Sequence, residues 1–169
     1  LILDPSSTKI LEQKFMFCKQ LIEIVVPEDS CLTMIGRSSF AGCSNLQRIT
    51  NGLPETLLMI NYYAFSLCTS LKGPLVIPSN VTFLGNESFC YCSSLNGQLV
   101  IPPKVTFLGS MTFYNCASLT SVVFEPSTTT TATTTLGIGD YCFNFCTGLL
   151  SVDLSERIND VEKGAFHFC

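Results

Sequence analysis

A Phe-x-x-Cys pair recurs seven times along the 169 residues, at Phe15/Cys18, Phe40/Cys43, Phe65/Cys68, Phe89/Cys92, Phe113/Cys116, Phe143/Cys146 and Phe166/Cys169. The steps between successive Phe residues are 25, 25, 24, 24, 30 and 23. A Leu stands three residues after each of the first six Cys, at Leu21, Leu46, Leu71, Leu95, Leu119 and Leu149. An aliphatic stands five residues before each Phe, at Ile10, Ile35, Ile60, Leu84, Leu108, Ile138 and Val161. A chain copied from itself in this way has few folds open to it. One copy is too small to bury its own Leu, Ile and Phe, so the copies must stack and share a continuous core.

Each copy reads as one coil. After the motif Leu comes an alternating run that usually stops at Pro, as in Ile24-Val25-Val26-Pro27, Leu75-Val76-Ile77-Pro78, Leu99-Val100-Ile101-Pro102 and Val122-Val123-Phe124-Glu125-Pro126. β-Branched alternation favours a strand, and Pro has no N–H with which to continue a ladder. A second extended piece follows, as in Val81-Thr82-Phe83-Leu84 and Val105-Thr106-Phe107-Leu108. Gly36, Gly85, Gly109 and Gly139 then read as turn residues, and the Phe-x-x-Cys segment as a short helical turn or tight bend. Leu1-Ile2-Leu3-Asp4-Pro5 matches Val122-Val123-Phe124-Glu125-Pro126, so the chain is expected to enter on a strand. The predicted fold is a repeat solenoid: a right-handed stack of about seven 23–30-residue coils, mainly short parallel strands joined by turns and short helical turns. Residues 1–169 form a single domain on this reading. With no polar terminal caps evident, they are expected to be part of a longer array.

Ten cysteines would suit a disulfide framework, but seven of them recur once per coil and should stack as a column of buried thiols. Parallel Cβ vectors in such a column suit disulfides poorly. Zinc needs ligand pairs converging on one point, and Cys90-x-Cys92 stands alone with the single His167 far off in the array. Cys31, Cys90 and Cys142 fall outside the column and are expected to be the accessible thiols.

With 13% charged residues and a net charge of −4, the chain has no basic footprint for nucleic acid. No apolar run approaches the roughly 18 residues that would insert in a bilayer. One His without a recurring acid or Ser partner leaves no nucleophile–base constellation, and phosphate and dinucleotide loops are missing. The chain is therefore expected not to be an enzyme, and to use no cofactor, metal or small-molecule substrate.

Surfaces for a protein partner are easier to find. Outward positions on the first strand give the column Ile2, Val25, Thr50, Val76, Val100, Val123 and Asp153, largely apolar, beside a polar column of Glu23, Arg48, Gln98, Ser121 and Ser151. An exposed apolar stripe can mark an interaction surface; stacking of β-branched residues within a parallel sheet is the simpler account and needs no partner. On the second extended piece Met34, Met59, Phe83 and Phe107 would form a patch if they face outward, or extra core if they tuck in. The threonine-rich run 128–135 supplies the extra length of the longest coil and reads as a loop. Asn80-Val81-Thr82 and Asn86-Glu87-Ser88 are N-glycosylation sequons.

The pattern Ile-Gly-x-x-x-Phe-x-x-Cys-x-x-Leu followed by a strand ending at Pro resembles the BspA-like, Treponema pallidum type of leucine-rich repeat over essentially the whole chain. Ile77-Pro78-Ser79-Asn80-Val81-Thr82-Phe83-Leu84-Gly85 is similar to versions in protist parasites such as Trichomonas and Entamoeba. Glu12, Asn61 and Glu162 replace the family's Gly, and Ser155 stands where Pro usually ends the strand. The resemblance implies a cell-surface or secreted module for adhesion or protein–protein interaction, with host proteins or further copies as partners. The alternative is a cytoplasmic scaffold or structural component docked on a larger assembly. A plain spacer is a third reading.

Overall fold

The structure, a computed structural model, describes residues 1–126, 135–154 and 156–169. Most of the threonine-rich run, and Ser155, lie outside the described residues. Twelve short strands follow in order: β1 Lys9–Ile10, β2 Glu23–Val25, β3 Met34–Ile35, β4 Arg48–Thr50, β5 Met59–Ile60, β6 Phe83–Leu84, β7 Gly97–Ile101, β8 Phe107–Leu108, β9 Leu119–Phe124, β10 Leu136–Ile138, β11 Ser151–Asp153 and β12 Ile158–Val161. The pairings between them are parallel, and the chain is a parallel β-solenoid of about six turns. The second extended pieces make an unbroken seven-stranded sheet, β1-β3-β5-β6-β8-β10-β12. The first pieces make two smaller sheets, β2-β4 and β7-β9-β11. Ile2 bridges Val25, so the chain does enter in extended form on this side.

The stack closes over columns of identical side chains. The seven motif Phe rings lie offset over one another at centroid distances of 5.2–5.4 Å, with interplanar angles of 10° or less. That is an aromatic geometry favoured beyond simple burial. Beside it run the aliphatic column from Ile10 to Ile138 and the motif leucines, mostly buried. All ten cysteines are free thiols. In the motif column each thiol donates to the carbonyl of the Phe one coil earlier: Cys43 to Phe15 at 3.1 Å, Cys68 to Phe40 at 3.2 Å, Cys116 to Phe89 at 3.3 Å and Cys146 to Phe113 at 3.2 Å. Cys thus supplies a small apolar body and a weak donor where a carbonyl has a lone pair to spare.

The Phe-x-x-Cys segments are not helical turns; no helix occurs among the described residues. The residues two before and two after each Phe have positive φ, and most are not glycine: Gln13 and Phe17, Tyr63 and Leu67, Glu87 and Tyr91, Met111 and Asn115, Tyr141 and Phe145. This alternation cannot propagate as a helix. It points every second N–H at the next coil instead. Ser38, Phe40 and Gly42 donate to the carbonyls of Tyr62, Ala64 and Ser66, while Ser39, Ala41 and Cys43 close local turns on Gly36, Ser38 and Phe40. The turn stack is therefore as fully hydrogen-bonded between coils as the sheet.

One further expectation is refined and one corrected. The glycines before the motif Phe do open turns, the Gly36 and Gly85 carbonyls accepting from the N–H groups of Ser39 and Ser88, but without positive φ. A Cβ at Gly36 would come within 2.5 Å of the Ile10 carbonyl oxygen, and one at Gly85 within 2.5 Å of the Tyr62 nitrogen, so these residues permit close approach of coils. Cys90 and Cys142 are buried, at 2% and 0% exposure, leaving Cys31 as the accessible thiol outside the column. Cys142 occupies the position just before the motif Phe. There a tight column of small residues (Ser39, Ala64, Ser88, Thr112, Ala165) packs between coils. At the far end, the Arg157 guanidinium reaches back to the carbonyls of Pro102, Pro103 and Val105 at 2.8–2.9 Å, clamping the last coils together.

Candidate functional site

The strand side of the solenoid is where the coils stop being equivalent. Its inward strand residue lies three positions after the motif Leu in Leu21/Ile24, Leu46/Ile49 and Leu119/Val122, but four after it in Leu71/Leu75 and Leu95/Leu99. The additional residue is taken up at Gly73 and Gly97, with φ of 92° and 83°, a conformation glycine adopts without strain. Between β7 and β9 the mismatch is absorbed as a bulge at Gly97/Gln98, and the ladder continues. Between β4 and the next coil it is not. Pro74 follows Gly73 and has no N–H to give the ladder. On the other side the chain leaves β4 through Asn51 and Gly52, with φ of 67° and 75°, and the Gly52 N–H closes on the Ile49 carbonyl at 3.3 Å. The sheet parts at this point.

A cleft follows from the break. Three adjoining depressions, of about 240, 440 and 590 Å³, meet at Val76, which lines all of them. Val76 bridges Val100 on one side and is 67% exposed. The smallest depression runs between Arg48, Leu53, Lys72 and Pro74. The two larger ones carry Glu28, Glu55 and Glu125 among Pro27, Pro54, Pro74 and Pro102. The Glu55 carboxylate accepts from the Ser79 N–H at 3.2 Å and hydroxyl at 2.9 Å, which fixes it at the rim. Arg48 is engaged by Glu23 at 2.7 Å, and Thr50 also donates to that carboxylate. The bond from Arg48, then that from Thr50, holds the Glu23 carboxyl below its ordinary range.

The column of outward residues is thus divided. Val25 and Thr50 are register partners on β2 and β4, half-buried; Val100 and Val123 are partners on β7 and β9, also half-buried. Val76 stands in the cleft between the two groups, with Val100 lining one of its depressions. Met34, Met59 and Phe83 are neighbours in register on the seven-stranded sheet, half-buried, with Phe107 beyond them 44% exposed and its ring over Gly137. Tyr62 meets Phe83 edge-on at 5.6 Å. Asn86 is exposed; the Asn80 amide donates to the Glu55 carbonyl at 2.8 Å and accepts from Lys104 at 2.5 Å.

Val76 and Val100, named from the sequence, line the cleft together with Arg48 and Gln98 of the polar column. What the sequence did not single out are Glu28, Glu55, Glu125 and the prolines of its walls, and an aromatic edge formed by Tyr91, Tyr114, Phe145 and Phe168 with ring centroids 4.7–5.7 Å apart. The cleft had a signal, the count from motif Leu to strand. The edge had a signal too, the aromatic residue two after the motif Phe at Phe17, Tyr91, Phe145 and Phe168.

Burial pushes the thiols of Cys68, Cys92 and Cys116 well up, and that of Cys90 up to about 12. Thiols so placed are poor nucleophiles and poor metal ligands. Among the described residues no group of three or more His, Cys, Asp or Glu is placed to hold a metal ion, and no helix is long and apolar enough to cross a membrane.

No curated protein sequence matches the chain. Among solved structures it is similar to the leucine-rich repeat protein of T. pallidum, with 28% identity, a TM-score of 0.83, and coverage of 100% of this chain and 75% of that one. It also matches the pneumococcal vaccine antigen PcpA, at 21% identity and a TM-score of 0.53, over 94% of this chain and 45% of that one. A model of the BspA type leucine rich repeat region matches residues 8–136 and 128–169 in six copies, in keeping with about six turns. The chain belongs to the BspA-type leucine-rich repeat family.

Proposed function

We propose that this chain is a non-enzymatic protein-binding module whose partner docks on the strand side, at the Val76 cleft. The observation that carries the proposal is the exposed Val76 at the break in the strand-side ladder, where three depressions meet. A rigid concave feature with an apolar floor and a polar rim is what a protein interface requires. The second surface is the outward row Met34, Met59, Phe83 and Phe107, which is flatter and mostly half-buried. A selection of random displayed peptides on the intact chain tests the reading. Enriched peptides should lose binding about tenfold or more to Val76→Lys and keep it with Phe107→Lys. Enrichment indifferent to Val76→Lys would refute the assignment.

The setting we favour is the cell surface or a secreted form, in which the module contacts host proteins or other copies in adhesion. The family resemblance and the exposed sequon at Asn86 support it. The cytoplasmic scaffold remains a second reading because all ten cysteines are free thiols, the state kept by a reducing compartment. Glycan on Asn86 in protein from its natural source decides for the first; unmodified Asn86 there removes that support.

A further inference from the structure

The chemistry of the cleft says more about the occupant. This inference rests on the binding role proposed above. The two larger depressions are lined by Glu28, Glu55 and Glu125, and by no Lys or Arg. They also contain Pro27, Pro54, Pro74 and Pro102, none of which has a backbone N–H to offer. Carboxylates accept only; the Ser79 hydroxyl and the Asn51 amide already donate to Glu55 and to the Val26 carbonyl, while the Gln98 amide can donate or accept. The walls therefore present net negative charge around the apolar Val76. Nearby cations are otherwise directed: Lys104 donates to Asn80 at 2.5 Å, Arg48 pairs with Glu23, and Arg157, which feels the charge of Glu125, spends its guanidinium donors on the carbonyls of Pro102, Pro103 and Val105.

We infer that the cleft takes an extended segment of a partner protein in which a Lys or Arg adjoins an apolar side chain. The apolar side chain covers Val76, and the cation lies between Glu55 and Glu125. An acidic or purely apolar segment would leave the carboxylates desolvated and unpaired, which costs more than the apolar contact gains.

The test uses the intact chain and three acetylated, amidated hexapeptides alternating Val with Lys, Gln or Glu. Binding is read by titration calorimetry at low and high salt. The Lys peptide is expected to bind about tenfold more tightly than the Gln peptide, as one charge-assisted contact requires, and the Glu peptide not to bind. Glu55→Gln with Glu125→Gln should erase the Lys preference, and about 0.5 M salt should shrink it. Equal binding of the Lys and Gln peptides, or a Lys preference that survives the double substitution, overturns the charge assignment. In that case loss of both peptides with Val76→Lys would still support the binding face. Failure of all three peptides to bind overturns this inference, while peptides enriched from a random library remain the separate check on the face itself.

Discussion

The Cys92 thiol lies 3.2 Å from the carbonyl oxygen of Phe65, one coil earlier, and that oxygen already accepts the Cys68 N–H at 3.1 Å. Sequence and fold meet in this contact. The same residue spacing that repeats along the chain brings the thiol of each coil to the last free lone pair of the one before, so the column is both the repeat signature and the joint between coils.

Thiol accessibility follows directly. Brief alkylation of the native protein with peptide mapping should modify Cys31, with Cys18 and Cys169 at the ends of the column, well before Cys68, Cys92, Cys116, Cys90 or Cys142. Equal labelling of all ten would contradict the column.

Alkaline pH should unfold the stack. Burial raises the folded pKa of Cys68, Cys92 and Cys116 above that of the unfolded thiol, so the folded state holds more protons once pH passes about 9. This contribution is fully present below that pH and is lost as pH rises. The slope is about 1.4 kcal/mol per pH unit for each thiol. Denaturant midpoints measured from pH 7.5 to 10.5 should fall, and fall less steeply for Cys92→Ala.

The strained turn positions can be probed at Leu67, which has φ of 61° and an exposed side chain. Leu67→Gly relieves about 1–2 kcal/mol of left-handed strain against about 0.4–1 kcal/mol of added chain entropy, and should be neutral or stabilising. Leu67→Val places a β-branched residue where φ is positive and should be less stable than the Gly variant by more than about 1 kcal/mol. Chemical denaturation of the pair checks the order; a Val variant as stable as the Gly variant would argue against the turn geometry.

Phe89 is fully buried between two stacked rings, 5.3 Å from Phe65 and 5.4 Å from Phe113. Phe89→Ala removes both stacks and leaves a cavity, for an expected loss of about 3–5 kcal/mol in the denaturation free energy.

The columns were legible in the sequence because a solenoid translates spacing directly into contact: Phe15 to Phe166, Ile10 to Ile138 and the motif cysteines all stack as their intervals require. The turn geometry was not, because Gln13, Tyr63, Leu67 and Met111 carry no preference that marks positive φ; only Gly42 and Gly164 hinted at it. The glycines Gly36 and Gly85 were visible as turn residues, but the need for glycine there comes from the neighbouring coil, which a Cβ would strike. The cleft was half-legible. Asn51-Gly52 and Gly73-Pro74 are plain chain-breaking signals, yet in a repeat they pass for ordinary loop residues until the one-residue offset of Leu75 from Ile49 is placed against the neighbouring strands.

The central claim is that the broken ladder at Val76 is where a partner sits. The most direct measurement is the amide shift map of the intact, isotope-labelled chain on titration with a peptide selected against it. The largest shifts are expected at Gly52, Leu53, Lys72, Gly73, Leu75, Val76 and Ile77, with the β5-β6-β8 side unmoved. Largest shifts at Met59, Phe83 and Phe107, with residues 72–77 still, would contradict it.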